Sequence, residues 1–208
     1  MGYLPNYVEN KLTGEQLLSN KNKFLSIIAY NVQREGVDEL IHYLSSETDF
    51  FEAPASSKNH GNYPGGLCEH SLSVYESLLT LLSAFDIKYY NKDTVAIVAL
   101  FHDLCKANFY KIGYRNVKNE MTNRWESRMV YEIDDQYPLG HGEKSCIILQ
   151  RYIKDITNEE MLAIRWHMGG FDESAKGGSY SINDAQNITP LCSLLQAADT
   201  LSANVLHK

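Results

Sequence analysis

The sequence predicts an all-α protein built as one domain. Apolar residues recur at helical spacing in nearly every segment of the 208 residues, and no stretch shows the sustained alternation that is typical of strands. Two capping boxes, at residues 13–16 and 157–160, mark helix starts. Because neither an internal repeat nor a linker divides the chain, we expect a single helical bundle with one buried core.

The first 44 residues are predicted to form an N-terminal helical hairpin that packs on this core. A helical stretch opens at the first capping box, and residues 24–43 continue at roughly helical spacing with a break near Gly36. Residues 45–66 are richer in Ser, Asn, Pro and Gly, and residues 60–66 predict an ordered loop. We expect residues 45–208 to complete the same structural unit.

The rest of the chain reads as further helices around one irregular segment. Helices are predicted over 67–85 and 93–106, and the second is apolar almost all round and therefore central. Residues 107–140 are the least regular part and are interpreted as loop-rich. Further helices are expected over 142–153 and from the second capping box to Gly169. The last would start with Thr189 as N-cap and Pro190 at its first position.

Composition excludes several classes of protein. The chain has 19 Lys and Arg against 26 Asp and Glu, a formal charge of −7, which argues against a non-specific nucleic-acid binder. Its four dispersed cysteines form no Cys-x-x-Cys pair and are expected to be free thiols in a reducing compartment. The longest apolar run, residues 95–101, is too short to span a bilayer, and residues 1–6 carry no signal-peptide features. We therefore expect a cytoplasmic protein with no membrane partner.

One set of His and Asp residues has the side chains and positions of candidate metal ligands. His102 and Asp103 end the most hydrophobic predicted helix, where neighbouring side chains about 100° apart can reach one point beside the axis. A buried ionisable pair needs a partner, and a bound cation would serve both residues. Further candidate ligands occur at or near helix ends or in the last helix, and imidazoles with carboxylates suit divalent first-row metals. These further ligands are His70, His141, His167 and Asp199.

The order of these residues resembles the H…HD…D signature of the HD-domain metal-dependent phosphohydrolase superfamily. Residues 65–74 look like the family's first helix, and residues 101–106 are similar to its HDxxK turn. His141 and His167 lie where binuclear members have extra histidines, so the resemblance covers about residues 45–205. Binuclear relatives often have two consecutive histidines near the fourth element, where this chain has His167 and Met168. We therefore expect the second metal to be bound more weakly, or with an extra water.

The resemblance implies a helical bundle with one or two divalent ions (Mn, Fe, Co, Ni, Zn or Mg) between its helices. His70, His102, Asp103 and Asp199 would hold the first metal. Asp103 would bridge to a second metal held by His141 and His167. A metal-bound water, its pKa lowered toward about 7, would then attack phosphorus without a covalent intermediate.

Two lysines and one histidine are candidate substrate contacts. Lys106 lies one turn past the His-Asp pair and Lys144 three residues after His141, so both are candidates for catalytic contact with phosphate; surface salt bridges are the alternative. His60 precedes His70 in the predicted loop. It would contact the substrate or, alternatively, stabilise the loop by a hydrogen bond.

Residues 106–128 form a cationic, aromatic segment. Six basic and two acidic residues make it +4, and it also holds Phe109, Tyr110, Tyr114 and Trp125. A lid over a nucleotide needs positive charge to bind the phosphate and aromatic rings to stack on the base. Lys111 and Arg115 are therefore candidate substrate contacts. A solvated basic loop with core aromatics is the alternative.

The leading hypothesis is a phosphohydrolase, either a phosphatase or a phosphodiesterase, that acts on a small phosphorylated metabolite, for which we expect a nucleotide. A long nucleic-acid strand is disfavoured by the acidic charge. One alternative is a di-iron oxygenase of the same fold, since some relatives with a similar ligand set oxidise their substrates. Another is a non-catalytic nucleotide-binding module, against which the intact ligand set argues. The sequence makes no prediction about oligomeric state.

Overall fold

The computed structural model describes residue 8 and residues 11–119 and 121–206, and within them the fold is helical. The all-α prediction is confirmed, with one two-stranded hairpin added to nine α-helices in the described part of the chain. The helices are α1 Gly14–Asn31, α2 Val37–Ser46, α3 Gly66–Ala84, α4 Lys92–Phe101, α5 His141–Tyr152, α6 Asn158–Trp166, α7 Glu173–Lys176, α8 Ser181–Ile188 and α9 Leu191–Leu201; the strands are β1 Tyr110–Lys118 and β2 Trp125–Ile133. None of the described helices combines the length and apolar character that a membrane span requires.

Helix α4 forms the centre of the bundle. Residues 94–101 are all buried, which fits a helix that is apolar on every side. It packs against α1, α3 and α6, while α9 packs against α3 and α6. The end of α4 therefore lies among the helices that carry the predicted metal ligands.

Helix α1 begins with the predicted capping box. The Thr13 hydroxyl accepts a hydrogen bond from the Gln16 backbone N–H, and the Gln16 side chain accepts one from the Thr13 N–H. From α1, Phe24 enters the core edge-on to Phe101 at a centroid distance of 5.8 Å. Residues 1–7, 9 and 10 of the predicted N-terminal unit lie outside the described residues, as do Glu120, His207 and Lys208.

The prediction that residues 107–140 are loop-rich is wrong. The segment folds into an antiparallel hairpin in which Tyr110 pairs with Ile133 and Lys118 with Trp125. Side chains alternate between the two faces of β1. Tyr110, Ile112 and Tyr114 lie on one face, and Lys111 and Arg115 lie on the other. In the sequence this alternation is interrupted by Gly113 and Asn116. Pairing with β2 nevertheless holds the segment as a strand.

Two helix ends differ from the sequence prediction, and two helices, α7 and α8, were not predicted. Helix α4 ends at Phe101, and Leu104–Lys106 form a separate 3₁₀ turn. Thr189 does not cap α9, because Pro190 stands between it and the first helical residue. Helix α8 was not predicted; it is largely polar and buries Ala185 alone among its residues, so it carries almost no apolar periodicity.

Candidate metal centre

Five helices bring the six predicted ligands to one place. His102 caps the C-terminus of α4 with Asp103 next to it, and His167 caps the C-terminus of α6 in the same way. His141 is the first residue of α5. His70 lies in α3 and Asp199 in α9. Helix ends therefore carry four of the six candidate ligands.

Asp103 lies at the centre of the cluster and presents its two oxygens to different histidines. Its Oδ2 lies 3.3 Å from Nε2 of His102 and 3.8 Å from Nε2 of His70. Its Oδ1 lies 2.9 Å from Nε2 of His141 and 3.5 Å from Nε2 of His167. The carboxylate thus separates the four imidazoles into two pairs.

Asp199 adds the second carboxylate to the cluster. Its Oδ1 lies 3.0 Å from Nε2 of His70 and 4.0 Å from Nε2 of His102. Candidate ligand atoms of His102, His167 and Asp199 all lie within 4.8 Å of one another, as do those of His70, His102 and Asp103. One cation can therefore be reached by several of these groups at once.

The ring nitrogens are oriented for metal binding. Nδ1 of His102 lies 2.8 Å from the Ala99 carbonyl oxygen, and Nδ1 of His167 lies 2.7 Å from that of Ile164. A carbonyl only accepts, so Nδ1 carries the proton in both rings and Nε2 of the neutral ring has a lone pair. Both Nε2 atoms are buried and have no hydrogen-bond partner among the described residues.

This donor set fits a divalent cation. A lone pair that faces a carboxylate oxygen at 3.3–3.5 Å is repulsive unless a positive charge lies between them. Imidazole nitrogens with fixed outer hydrogen bonds and two carboxylates are the usual ligands of first-row divalent metals. The residues therefore fit a metal site.

The family comparison agrees with this geometry. A family model described as HD domain matches residues 67–204, which include all six candidate ligands. The chain belongs to the HD-domain family. This superfamily comprises metal-dependent hydrolases, and the metal-binding character of the cluster follows from the family and the donor set together. No curated protein and no solved structure matches the chain significantly.

The charges in this HD domain favour ionised carboxylates. Burial alone would raise the pKa of Asp103, but the Lys106 ammonium and His102 hold it well below its usual range. Burial would likewise raise the pKa of Asp199, and His70 lowers it instead. Both carboxylates are therefore anionic at neutral pH.

Three of the histidines differ in the direction of their pKa shifts. Burial lowers the pKa of His70 and of His141, which keeps both rings neutral and able to bind a metal. Burial also acts to lower the pKa of His102, but the charge of Asp103 outweighs it and raises that pKa. At His102 a proton therefore competes with a metal for the attraction of the Asp103 carboxylate.

Lys106 is the predicted cationic substrate contact that lies against the cluster. Its Nζ lies 2.6 Å from Oδ2 of Asp103, and both side chains are buried. Burial alone would lower the pKa of Lys106, but Asp103 raises it, so the ammonium stays charged. A cavity of about 450 Å³ opens over this pair and over His141, His167 and Asp199.

His60 and Tyr110 also line this metal cavity. The His60 ring centroid lies 4.8 Å from that of His70, and burial lowers the pKa of His60 to about 4, so the ring is neutral. Tyr110 comes from the start of β1, and burial raises its pKa to about 12. Tyr110 belongs to the aromatic residues of the predicted lid, and its place at the metal cavity depends on the hairpin, which the sequence does not predict.

Lys144, Lys111 and Arg115 lie away from the metal cavity. Lys144 lines an adjoining cavity of about 600 Å³, where its ammonium is paired with the Asp135 carboxylate. Lys111 is exposed, 3.3 Å from Oδ1 of Asp134, and Arg115 is exposed on the hairpin opposite Arg128. The structure thus brings Lys106 to the ligand cluster and places the other three cations further out.

Cys105 is a potential ligand that sequence reasoning passed over as a plain thiol. Candidate ligand atoms of Asp103, Cys105 and His141 lie within 4.8 Å of one another. Burial raises the pKa of the Cys105 thiol to about 12, so it is protonated at neutral pH. Its spacing, two residues after Asp103 in a tight turn, was the signal that could have found it.

Proposed function

We propose that this HD domain is a phosphohydrolase that cleaves a phosphoester of a small phosphorylated metabolite, and that the metabolite is a nucleotide. The observation that carries the proposal is the buried cluster of four imidazoles and two carboxylates with the Lys106 ammonium beside it, open to a cavity of about 450 Å³. Metal sites next to a fixed ammonium suit a phosphoryl group, whose oxygens carry negative charge.

The two oxygens of Asp103 support two ions. His70, His102, Asp103 and Asp199 would hold one ion, and Asp103 would bridge to another held by His141 and His167. Bound ions (Mn, Fe, Co, Ni, Zn or Mg) would supply a water of lowered pKa and neutralise charge on the phosphoryl oxygens.

The chain's own residues would orient the reaction. The backbone carbonyls of Ala99 and Ile164 hold the His102 and His167 rings by their Nδ1 protons, which keeps both Nε2 atoms directed at the cluster. Lys106 would donate a hydrogen bond to a phosphoryl oxygen from its place beside Asp103. His60, neutral and with its buried Nε2 at the cavity, would hydrogen-bond the ester or phosphoryl oxygen.

The remaining predicted contacts need a larger substrate or a movement. Lys144 would reach a phosphate only by exchanging the Asp135 carboxylate for it. Lys111 and Arg115 would contact a substrate that extends past the metal cavity toward the hairpin. The four cysteines are buried free thiols, which supports our proposal that the protein acts in the cytoplasm.

A screen of phosphate release tests this function. Nucleotides and sugar phosphates would be offered with Mn, Co, Ni, Mg and Zn in turn, with Asp103→Ala as the control. We expect metal-dependent release by the wild type alone, and equal rates in both proteins would overturn the mechanism. Oxygen uptake with bound iron and no phosphate release would favour the oxygenase, and tight nucleotide binding without turnover under every metal would favour the binding module.

A further inference from the structure

A second cavity adjoins the metal cavity and has no part in the chemistry described so far. It measures about 600 Å³, large enough for a group the size of a nucleoside. His141, Met168 and Phe171 line both cavities. A molecule with its phosphorus at the metal cluster can therefore extend over His141 into this second cavity.

The walls of the second cavity offer apolar and aromatic surface. Phe109, Pro138, Leu139, Met168 and Phe171 all contribute to it. The Phe171 side chain is 73% exposed and Leu139 is 41% exposed, so their faces are available to a ligand. Aromatic rings bind other planar rings through stacked or edge-to-face contacts, which suits a ring system better than a flexible chain.

The charges of the second cavity disfavour a polyphosphate. Its described lining residues include four carboxylates and two ammoniums, and the Arg165 guanidinium pairs with two of the carboxylates, Glu143 and Asp172, so one negative charge remains in excess. The Lys144 ammonium is paired with Asp135 and lies 5.0 Å from the Phe109 ring centroid, so its charge is already balanced. Glu173, at the start of α7, is exposed on this wall. Further phosphates would meet surplus negative charge here.

The metal cavity has no spare cation for further phosphates either. Among its described lining residues Lys106 is the one Lys or Arg, and it is paired with Asp103. One phosphoryl group is served by Lys106 and the metal ligands. A second and third phosphate would need additional cationic partners, as polyphosphate sites provide.

We propose that the second cavity binds the organic part of the substrate, that this part is a planar aromatic ring system without negative charge, and that the substrate carries a single phosphoryl group. Phe171 and Glu173 are the residues that determine this specificity, the first by contact with the ring and the second by repulsion of further phosphates. The inference rests on the proposed phosphohydrolase function, and it narrows the substrate to an aromatic monophosphate such as a nucleoside monophosphate.

Three kinds of substrate test the inference. Wild-type kcat/KM would be measured for nucleoside 5′-monophosphates with each common base, for ribose 5-phosphate, which lacks the ring, and for the nucleoside triphosphates. We expect at least one monophosphate to exceed both ribose 5-phosphate and its own triphosphate by about tenfold or more, as one stacked base contributes. Equal kcat/KM for ribose 5-phosphate and all nucleotides, or a preference for triphosphates, would overturn it.

Variants assign the effect to the second cavity. Phe171→Ala should lower kcat/KM for the preferred monophosphate about tenfold more than it lowers kcat/KM for ribose 5-phosphate. Phe85→Ala changes a phenylalanine of similar exposure, 68%, that lines neither cavity, and should change neither substrate. Glu173→Lys should lower the ratio of kcat/KM for the monophosphate to kcat/KM for the triphosphate several-fold. Glu159 is an exposed acid in the first turn of α6, and Glu159→Lys should leave this ratio unchanged. An equal loss on both substrates in Phe171→Ala would contradict the assignment.

Binding of the nucleosides, which carry no phosphate, separates this inference from the proposed function. Calorimetry with wild type and Phe171→Ala requires no turnover. If no compound releases phosphate but a nucleoside binds wild type about tenfold more tightly than Phe171→Ala, the cavity assignment stands and the hydrolase proposal fails. If phosphate is released and no nucleoside binds or is preferred, the hydrolase stands and the cavity assignment fails. If neither is seen, both fail.

Discussion

Lys106 and Asp103 form a buried ion pair, with Nζ of Lys106 2.6 Å from Oδ2 of Asp103, across one turn at the end of the central helix. The same oxygen faces Nε2 of His102 at 3.3 Å. The lysine therefore keeps Asp103 ionised while the histidines approach it. Any metal that binds here meets a carboxylate whose proton has already been removed.

Replacing Lys106 by Met should make metal binding more sensitive to pH. Lys106 lowers the pKa of Asp103, so its loss raises that pKa, and a proton then competes with the metal on the acid side. We expect the loss of Mn²⁺ affinity in the variant, relative to wild type, to be several-fold greater at pH 6 than at pH 8, because protons compete with the metal for Asp103 more strongly on the acid side. Calorimetric titration at both pH values measures this, with the exposed Lys88→Met as control. An equal loss at both values would show that Lys106 acts in another way.

Removing the charge of Asp103 should abolish the metal centre, and it should also cost stability because the buried Lys106 ammonium loses its partner. Asp103→Asn keeps the size of the side chain but loses the carboxylate that faces both histidine pairs. We expect phosphate release to fall by at least about a hundredfold together with metal content. Asp184→Asn, on an exposed part of α8, should keep both. Full metal content with full activity in Asp103→Asn would refute a bridging role.

The metal stoichiometry should be two per chain. Because His141 and His167 face one oxygen of Asp103 while His70 and His102 face the other, His141→Ala should remove one equivalent and leave the other. Elemental analysis of the protein as purified and after Mn²⁺ loading measures this, with the exposed His42→Ala as control. At most one tightly bound equivalent in the wild type would count against a strong second site.

An ion pair between Arg34 and Glu160 should stabilise the bundle. The guanidinium contacts both oxygens of the buried Glu160 carboxylate, at 2.8 and 2.6 Å, and Thr94 donates a hydrogen bond to one of them. Glu160→Gln leaves the Arg34 guanidinium with Asp93, 2.6 Å away, as its remaining carboxylate partner, and we expect a loss of about 1–2 kcal/mol in the free energy of unfolding. The exposed Glu159→Gln should cost less than about 0.5 kcal/mol in the same denaturant titration.

This contribution should depend on pH in one direction. Burial alone would raise the pKa of Glu160, but Arg34 and Thr94 hold it below its ordinary value of 4.5. A carboxyl whose pKa is lower in the folded state than in the unfolded state stabilises the fold at pH values above its unfolded-state pKa. This stabilisation is lost as the pH falls through the folded-state pKa. The difference between wild type and Glu160→Gln should therefore be full near pH 7 and shrink below about pH 4.5. A difference that grows on acidification would contradict this sign.

Gly142 should couple packing to the metal centre. A Cβ at Gly142 would overlap the backbone carbonyl of Arg165, where α5 lies directly against α6. Gly142→Ala should cost about 1–3 kcal/mol and weaken metal binding at the adjacent His141. Gly14→Ala, at an open position on the first turn of α1, should be neutral or slightly stabilising. Thermal unfolding and Mn²⁺ titration of both variants measure the two effects. Unchanged metal affinity in Gly142→Ala would show that packing of α5 on α6 does not affect metal binding.

Much of the helical architecture was predictable because its signals are local. Both capping boxes open helices where the sequence places them, with Thr13 before α1 and Thr157 before α6. The apolar run before His102 is buried on all sides, as its composition predicts. The hairpin was missed because Gly113 and Asn116 interrupt the alternation that cross-strand pairing completes.

By itself the sequence determined the all-α class, the order of the six candidate ligands and the place of His102 and Asp103 at the end of a buried helix, since periodicity, capping and motif order are properties of neighbouring residues. Only the tertiary structure decided where the cations lie. Lys106 is held against Asp103 and Lys144 against Asp135, while Lys111 and Arg115 project from the hairpin. These positions, like the second cavity between Phe109 and Phe171, depend on contacts between distant segments, which no local pattern records.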